Sequence, residues 1–460
     1  MVFMPPCMSR LPWPPLRRVA IAAVVTSAAC VPPAVHRGSD GVVALVTDRT
    51  GVQPSWVAID SGVRRAMPIP AGPLDIEMAT RLAMVRNPHV RATLAEVGIA
   101  QAELWQTATF PNPVLDLLYG VPRSGIAVSN VGVGVSFVRA LQLPLRRRVA
   151  AAELASTEER VADAVLGVMT DVQRAYVDVQ HAQQVLELRT TFAAATAASA
   201  GAAKALREAG NVPALVLVGE QAMAEQSVAD VAEAEGALAT ARAELGRLMG
   251  AGVGDTAWTI PERLPDPGTI SWPVGALDSL ALAQRLDVAA ARDGARAAAS
   301  ALGLDQRFRL LPDGTIGAFL EREPDGRFAG PTGGIPLPLF DRGGAAIARA
   351  RAQLSQRVAQ HDALVVDVHA QVRTQLAQLQ SAGRRVQHLR AVVLPLRRRV
   401  LDELQRHVNA LDASVFALLQ AKQAELDAGR LYLDALRDYW LAYAGLERAV
   451  GGTLPALGTH

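Results

Sequence analysis

Thiols are confined to the start of this chain. Its two cysteines are Cys7 and Cys30, so the rest of the 460 residues can form neither a disulfide nor a thiolate metal site. Aromatic residues are scarce at 4%, and the apolar half of the composition is mostly Ala, Val and Leu. That balance suits long, closely packed helices better than the large-ringed core of a globular domain. No stretch after Cys30 offers roughly 18 uncharged apolar residues, which excludes a membrane-spanning helix from the remainder and leaves a β-barrel as the only route into a bilayer. Charge of one sign is missing as well: 46 Lys and Arg stand against 44 Asp and Glu. The basic triplets Arg146 to Arg148 and Arg397 to Arg399 lie apart from aromatics, so nothing argues for nucleic acid. The eight histidines, among them His361, His369, His388 and His407, show no HExxH or other ligand spacing and read as solvated or packed side chains. Ser124 and Ser136 lack a nucleophile-elbow context, and there is no P-loop or GxGxxG. The expectation is a protein that is not an enzyme, with no cofactor and no metal site.

What is present begins with an export signal. Arg17 and Arg18 precede an apolar run from Val19 to Val25, followed by Thr26-Ser27-Ala28-Ala29-Cys30. A charged region, a short apolar region and small residues before a cut make residues 1–29 a signal peptide. The small-small-Cys ending resembles the lipobox of bacterial lipoproteins, with Ser27 where such boxes carry Leu or Val. This makes Cys30 the expected lipidated first residue of the mature chain. Residues 30–73 read as a periplasmic N-terminal extension.

The body of the chain is two copies of one unit, offset by about 198 residues. Leu104 answers Leu302, Pro113-Val114 answers Pro312-Asp313, and Leu143-Pro144-Leu145 answers Leu337-Pro338-Leu339. Arg207 with Gln221-Ala222 answers Arg406 with Gln420-Ala421. Residues 74–250 form the first repeat and 275–452 the second, with 251–274 as linker and 453–460 as tail.

Each copy is expected to open with one helix, over 76–105 and 275–304. Two extended segments follow. Val131, Val133, Val135 and Phe137 alternate with Gly132, Gly134 and Ser136, a period of two that places the large residues on one face. Ile316, Ala318 and Leu320 alternate in the same way with Gly317, Phe319 and Glu321. Turn signals at Pro122-Arg123-Ser124-Gly125 and Pro324-Asp325-Gly326 make each pair a hairpin. Six of the nine phenylalanines, Phe110, Phe137, Phe308, Phe319, Phe328 and Phe340, fall in or beside these segments, which suits a membrane-facing band with aromatic edges. Pro336 and Pro338 mark the exit from the fourth strand.

Long helical pairs are expected next, over 145–250 and 343–450. Val231, Leu238, Ala241, Leu245 and Leu248 recur as a coiled-coil seam, as do Leu433, Leu436, Trp440, Tyr443 and Val450. Gly210-Asn211-Val212-Pro213 and Val408-Asn409-Ala410-Leu411-Asp412 break the pairs into hairpin tips. Helices of that length cannot be buried in one globule, so they project as a rod or pack into a tube. Four strands cannot close a barrel alone, and an open edge cannot sit in lipid. Two copies would give about eight strands around a filled interior, whereas three give about twelve and leave a channel.

Asn87-Pro88, Phe110-Pro111-Asn112-Pro113, Gly210-Asn211, Pro338-Leu339-Phe340-Asp341-Arg342-Gly343 and Leu418-Leu419-Gln420-Ala421-Lys422-Gln423 resemble the TolC-like outer-membrane factor family. The likeness covers residues 74 to 452 in the right order, twice over. It implies a mainly α fold carrying a membrane β-barrel: a homotrimer with a long coiled-coil periplasmic α-barrel and a 12-stranded outer-membrane barrel, four strands per chain. It further implies a lipid-anchored protein of the cell outer membrane, the passive exit duct of a tripartite efflux system. Its implied partners are outer-membrane lipid, a periplasmic adaptor and an inner-membrane pump that supplies the energy. The segment Tyr432-Leu433-Asp434-Ala435-Leu436-Arg437-Asp438-Tyr439-Trp440 resembles the heavy-metal efflux branch. A type I secretion channel and, in another class, a periplasmic adaptor or structural coiled-coil lipoprotein stay open. In such channels the periplasmic end is held shut by hydrogen bonds and ion pairs, which makes Arg207, Glu208, Arg406, His407, Asn409 and Asp412 the candidate gate. Ala417 and Gln420 stand where a pair of carboxylates often rings the pore, so an acidic ring is not expected there.

Overall fold

The computed structural model describes residues 38–51, 68–120, 128–252, 254–261, 263–268, 272–311, 313–323, 326–410, 412 and 414–454. The signal peptide, Cys7, Cys30, the turn at 122–125, Pro312, Pro324, Asp325, Leu411 and residues 455–460 lie outside the described residues. In chain order the elements are α1 (Gly38–Thr50), β1 (Gly72–Pro73), α2 (Ile76–Arg86), α3 (Pro88–Ala108), β2 (Val114–Gly120), β3 (Val128–Ser136), α4 (Phe137–Glu208), α5 (Ala214–Leu248) and β4 (Trp258–Thr259). The second half holds α6 (Val274–Gln284), α7 (Leu286–Arg307), β5 (Thr315–Glu323), β6 (Gly326–Gly334), α8 (Gly344–His388), a π-helical turn (Leu389–Val393), α9 (Leu394–Asn409) and α10 (Val415–Val450). The expected order, helix then β-hairpin then long helical hairpin, therefore occurs twice.

Four details differ from expectation. The opening helix of each copy is two helices. Asn87 breaks the first because a residue before proline is pushed out of the helical region; its backbone is extended and its side chain accepts from the His89 N–H to cap α3. The second copy breaks at Arg285 without a proline, its guanidinium held by Asp287 and by the Ala449 carbonyl. Phe137 is not the last residue of a strand but the first of α4, started by Ser136, whose hydroxyl caps the Arg139 N–H. The long helix accordingly begins at 137 rather than 145 and runs through Pro144, which this early in a 72-residue helix removes one hydrogen bond without ending the run. Finally, the second copy's descending helix contains the π-helical turn just before Pro395.

The pseudo-symmetry is clearest where each unit is knotted at its root. Asn87 Nδ2 donates to the carbonyl of Leu248, the last residue of α5, while Arg285 Nη1 donates to Ala449 near the end of α10. Gly250 and Gly451 both hold positive φ. A Cβ on Gly250 would lie 2.8 Å from the Arg86 carbonyl, and one on Gly451 would lie 2.9 Å from Arg285 Cα. Both positions require glycine for conformation and for space.

Two hydrophobic cores follow. One joins α1, α2, α3, the middle of α4 and the end of α5 through Val42, Val46, Leu82, Val172, Tyr176 and Leu245. The other joins α6, α7, α8 and α10 through Leu277, Val288, Val372, Leu379, Leu436 and Leu446. Within the expected seams Leu245, Leu248, Leu436 and Val450 are fully buried, whereas Val231, Leu433, Trp440 and Tyr443 are half-buried.

Neither the extension nor the linker is slack. Helix α1 packs Val42 and Val46 into the first core, and its Arg49 donates to the Gln284 carbonyl in the second repeat. The linker gives Trp258 and Ile260 to the first core and Leu264 to the second. It pairs β4 in parallel with β1, and Pro265 accepts from Trp440 Nε1 at 2.9 Å.

Candidate functional site

The two hairpins, distant in sequence, form one antiparallel sheet in the order β2-β3-β5-β6. Ser136, Thr315 and Gly334 share a rung at one end, beside Val114 opposite Gly134, so every helix joins the sheet from that end. Gly120 opposite Val128 and Glu323 opposite Gly326 lie at the other. Among the described residues β2 and β6 are edges without a partner strand, and Pro331 sits on β6, where a missing N–H is tolerated.

Residues paired across strands share a face, so the registers sort the side chains into two sets. The first face carries Leu115, Leu117 and Tyr119, then Val131, Val133 and Val135, then Ile316, Ala318 and Leu320, then Ala329 and Pro331. It is apolar and bare: Leu117 is 69% exposed and Tyr119 73%. The second face carries Asp116, Asn130, Glu321 and Thr332 with a belt of glycines. Gly317 belongs to it, and a Cβ there would overlap the Val133 carbonyl oxygen. Phe319 and Phe328 also lie on this second face, opposite the valines. The alternation within β5 already sets Phe319 apart from Ile316, Ala318 and Leu320, and the cross-strand pairing adds Phe328 to the same side. Phe110 and Phe340 flank the sheet, 57% and 100% exposed.

The helical tips are the second candidate region, and all six proposed gate residues are exposed there. Arg207 Nη1 donates to the Val212 carbonyl at 3.1 Å, closing the first turn. Arg406 pairs with Glu403 on its own helix at 3.0 Å, and His407 Nδ1 faces Asp412 Oδ2 at 3.0 Å across the second turn. Asn409 accepts from Gln405 at 3.2 Å. The chain thus brings His407 and Asp412 together and keeps Arg406 and Asp412 apart.

A third polar feature has no local signal in the sequence. Helices α4 and α10, one from each repeat, run antiparallel and are joined by Asp163 with Arg448 (2.6 Å, both oxygens), Asp178 with Arg437 (2.5 Å) and His181 with Asp434 (2.8 Å). Each partner lies more than 250 residues from the other, so only the fold reveals the ladder. Near it, burial pushes the Glu447 carboxyl up to about 7. Glu159 is also pushed up to about 7, by burial and then by the neighbouring Asp293.

Among the described residues no group of three or more His, Cys, Asp or Glu side chains is placed to hold a metal ion, and no helix is long and apolar enough to cross a membrane.

A bare apolar sheet on a pair of very long helical hairpins is also the architecture of solved outer-membrane channels. The comparisons agree: a family model described as outer membrane efflux protein matches residues 79–251. The chain is 28% identical over 284 residues to the cobalt-zinc-cadmium resistance protein CzcC of Cupriavidus metallidurans, a match covering 59% of this chain and 65% of that protein. Its fold is similar to a solved structure of CusC, with a TM-score of 0.71 at 18% identity over 82% of this chain and 92% of that one. It is also similar to VceC of Vibrio cholerae, with a TM-score of 0.69 at 19% identity over 82% of this chain and 96% of that one. Residues 79–251 thus match the outer membrane efflux protein family, and the fold of the chain is that of the solved outer-membrane channels.

Proposed function

We propose that three copies of this chain close their sheets edge to edge into a twelve-stranded outer-membrane barrel, and that their helices form a periplasmic tube beneath it. The product is a passive exit duct, fed by an inner-membrane pump through a periplasmic adaptor. The observation that carries this reading is the sheet: an apolar face left bare, a glycine-rich face with Asp116, Asn130 and Glu321 behind it, and two edges, unpaired among the described residues, that lipid would not tolerate. The apolar face then meets lipid and the face of Asp116, Asn130 and Glu321 lines the lumen. With α4 running about 108 Å from its 72 residues, the helices have room only on the periplasmic side.

Metal cations are the cargo this reading favours. The similarity to a cobalt-zinc-cadmium resistance protein supports it. So does the sign of the lumen face, where the charged residues of β2, β3, β5 and β6 are all acidic. Cys30 carries the lipid in this reading, and the six tip residues form the gate.

Crosslinking and mass measurement of the detergent-purified protein test the assembly, with three chains expected and residues 107–140 and 307–340 protected from protease in intact cells. Crosslinks that stop at a dimer, or cleavage of those segments from the periplasmic side, would overturn it.

A further inference from the structure

The sheet's charges are segregated by face, and the arginines stand on the lipid side. Arg322 of β5 and Arg327 of β6 are register partners, so their side chains leave the same face, which is the apolar one. Continued across the sheet, the same rung holds Ser129 and Tyr119. Both arginines are exposed, and among the described residues neither has an ion-pair or hydrogen-bond partner. Like charges directly opposite each other on a sheet repel. The neighbouring Glu321 offers no relief, because alternation sends it to the other face.

Closure with another copy would not supply a carboxylate either. The edge that β6 would meet is a second copy's β2, whose residues on this face are Leu115, Leu117 and Tyr119. Among the described residues, a paired, uncompensated di-arginine site is therefore a feature of this face. Its height matters too. The rung lies seven residues beyond Thr315 on β5, about 23 Å along the strand, at the end farthest from the helices. That end meets the outer boundary of the apolar band, where a lipid-facing arginine is tolerated and where headgroups begin.

We propose that Arg322 and Arg327 form a phosphate clamp for a phosphorylated lipid headgroup of the outer leaflet, with Tyr119 and Ser129 completing a polar rung. Two guanidinium forks can grip one phosphate through parallel charge-assisted hydrogen bonds, while the acyl chains lie along Leu320, Val131 and Leu117 just below. The inference rests on the membrane-barrel reading above.

Native mass spectrometry of the detergent-purified oligomer, titrated with bis-phosphorylated lipid A, dephosphorylated lipid A and inorganic phosphate, tests it. The wild-type protein is expected to retain the bis-phosphorylated lipid at least ten-fold more strongly than the dephosphorylated one. The double variant Arg322→Ala, Arg327→Ala should lose that preference, and Arg322→Lys, Arg327→Lys should keep part of it with the oligomer intact. Equal retention by wild type and the alanine variant would overturn the clamp, as would equal binding of both lipids. Inorganic phosphate bound as tightly as the lipid would overturn the lipid assignment. Flotation of the wild-type chain with outer-membrane vesicles reports the membrane reading separately, since a chain that fails to float refutes that reading and not the clamp alone.

Discussion

Single side chains at the roots of the two repeats do the same work with different chemistry. Asn87 and Arg285 occupy equivalent breaks and both hold a carbonyl at the end of their repeat's last helix. The asparagine could be read in advance because it precedes a proline and belongs to the residue types that cap helices. Arg285 could not, since nothing local marks an arginine as a helix break; its bonds to Asp287, Gln371 and Ala449 are what stabilise the extended backbone. Glu447 is a residue whose behaviour follows mainly from burial, which outweighs a backbone hydrogen bond from Leu454. Its carboxyl titrates near 7 in the folded protein against an ordinary value of 4.5. The fold favours the protonated form, so the stability this group contributes is full below about pH 4.5 and is lost as pH rises through 7. Glu447→Gln should therefore raise the stability at pH 8.5 relative to wild type, by on the order of 1–3 kcal/mol, and leave it nearly unchanged at pH 4.5. Circular dichroism melts at the two pH values decide this, and an equal change at both would rule out Glu447 as the source.

At the scale of elements, the two helical hairpins are not equivalent. Between α4 and α5 there are buried polar layers: Thr196 with Ser227 at 2.6 Å, both almost fully buried, and Ser199 donating to Glu220 at 2.6 Å. Such layers fix register in coiled coils, because a slipped alignment leaves polar groups unpaired. Helix α9 has no buried residue among those described, and the last buried residue above it is Val386, just before the π-helical turn. The tip formed by α9 and α10 is thus held by surface pairs such as Arg398 with Glu425 and His407 with Asp412. Arg406→Ala with Asp412→Ala should raise single-channel conductance in planar bilayers if these residues latch the closed state. Conductance unchanged in an intact oligomer would remove both from the gate. Strands and tips were legible in the sequence because each has a strong local signature, alternation in one case and Gly-Asn-x-Pro in the other. The starts of the long helices were not, since Ser136 is a modest cap and Pro144 reads as a breaker when it is merely tolerated. The α4–α10 ladder depends on pairings between distant segments, which no single-segment pattern contains.

For the whole molecule, the duplicated unit carries its own fastening. Helix α1, the linker and the inter-repeat ion pairs bind the two halves at one level, roughly midway along α4, and leave sheet and tips free at opposite ends. Anchoring can then be separated from insertion. Cys30→Ser should abolish acylation, seen as the loss of the lipid mass in the intact protein, while the oligomer still extracts from outer membranes because the apolar sheet face inserts without the lipid. A mature protein with an unmodified Cys30, or a cut elsewhere, would refute the acylation. The length of α4 below this fastening has a mechanical consequence. From Val179, in the first core, to Glu208 at the tip is about 44 Å of helix. A rod of that length pivoting at its packed root moves its end by about 4 Å for a tilt of only about 5°. Core side chains can follow so small a rotation within their rotamer wells. The protein is a lever with a long arm, so a modest push near the tips can change the bore there while the sheet stays still, and a change of a few degrees at the root is magnified at the far end.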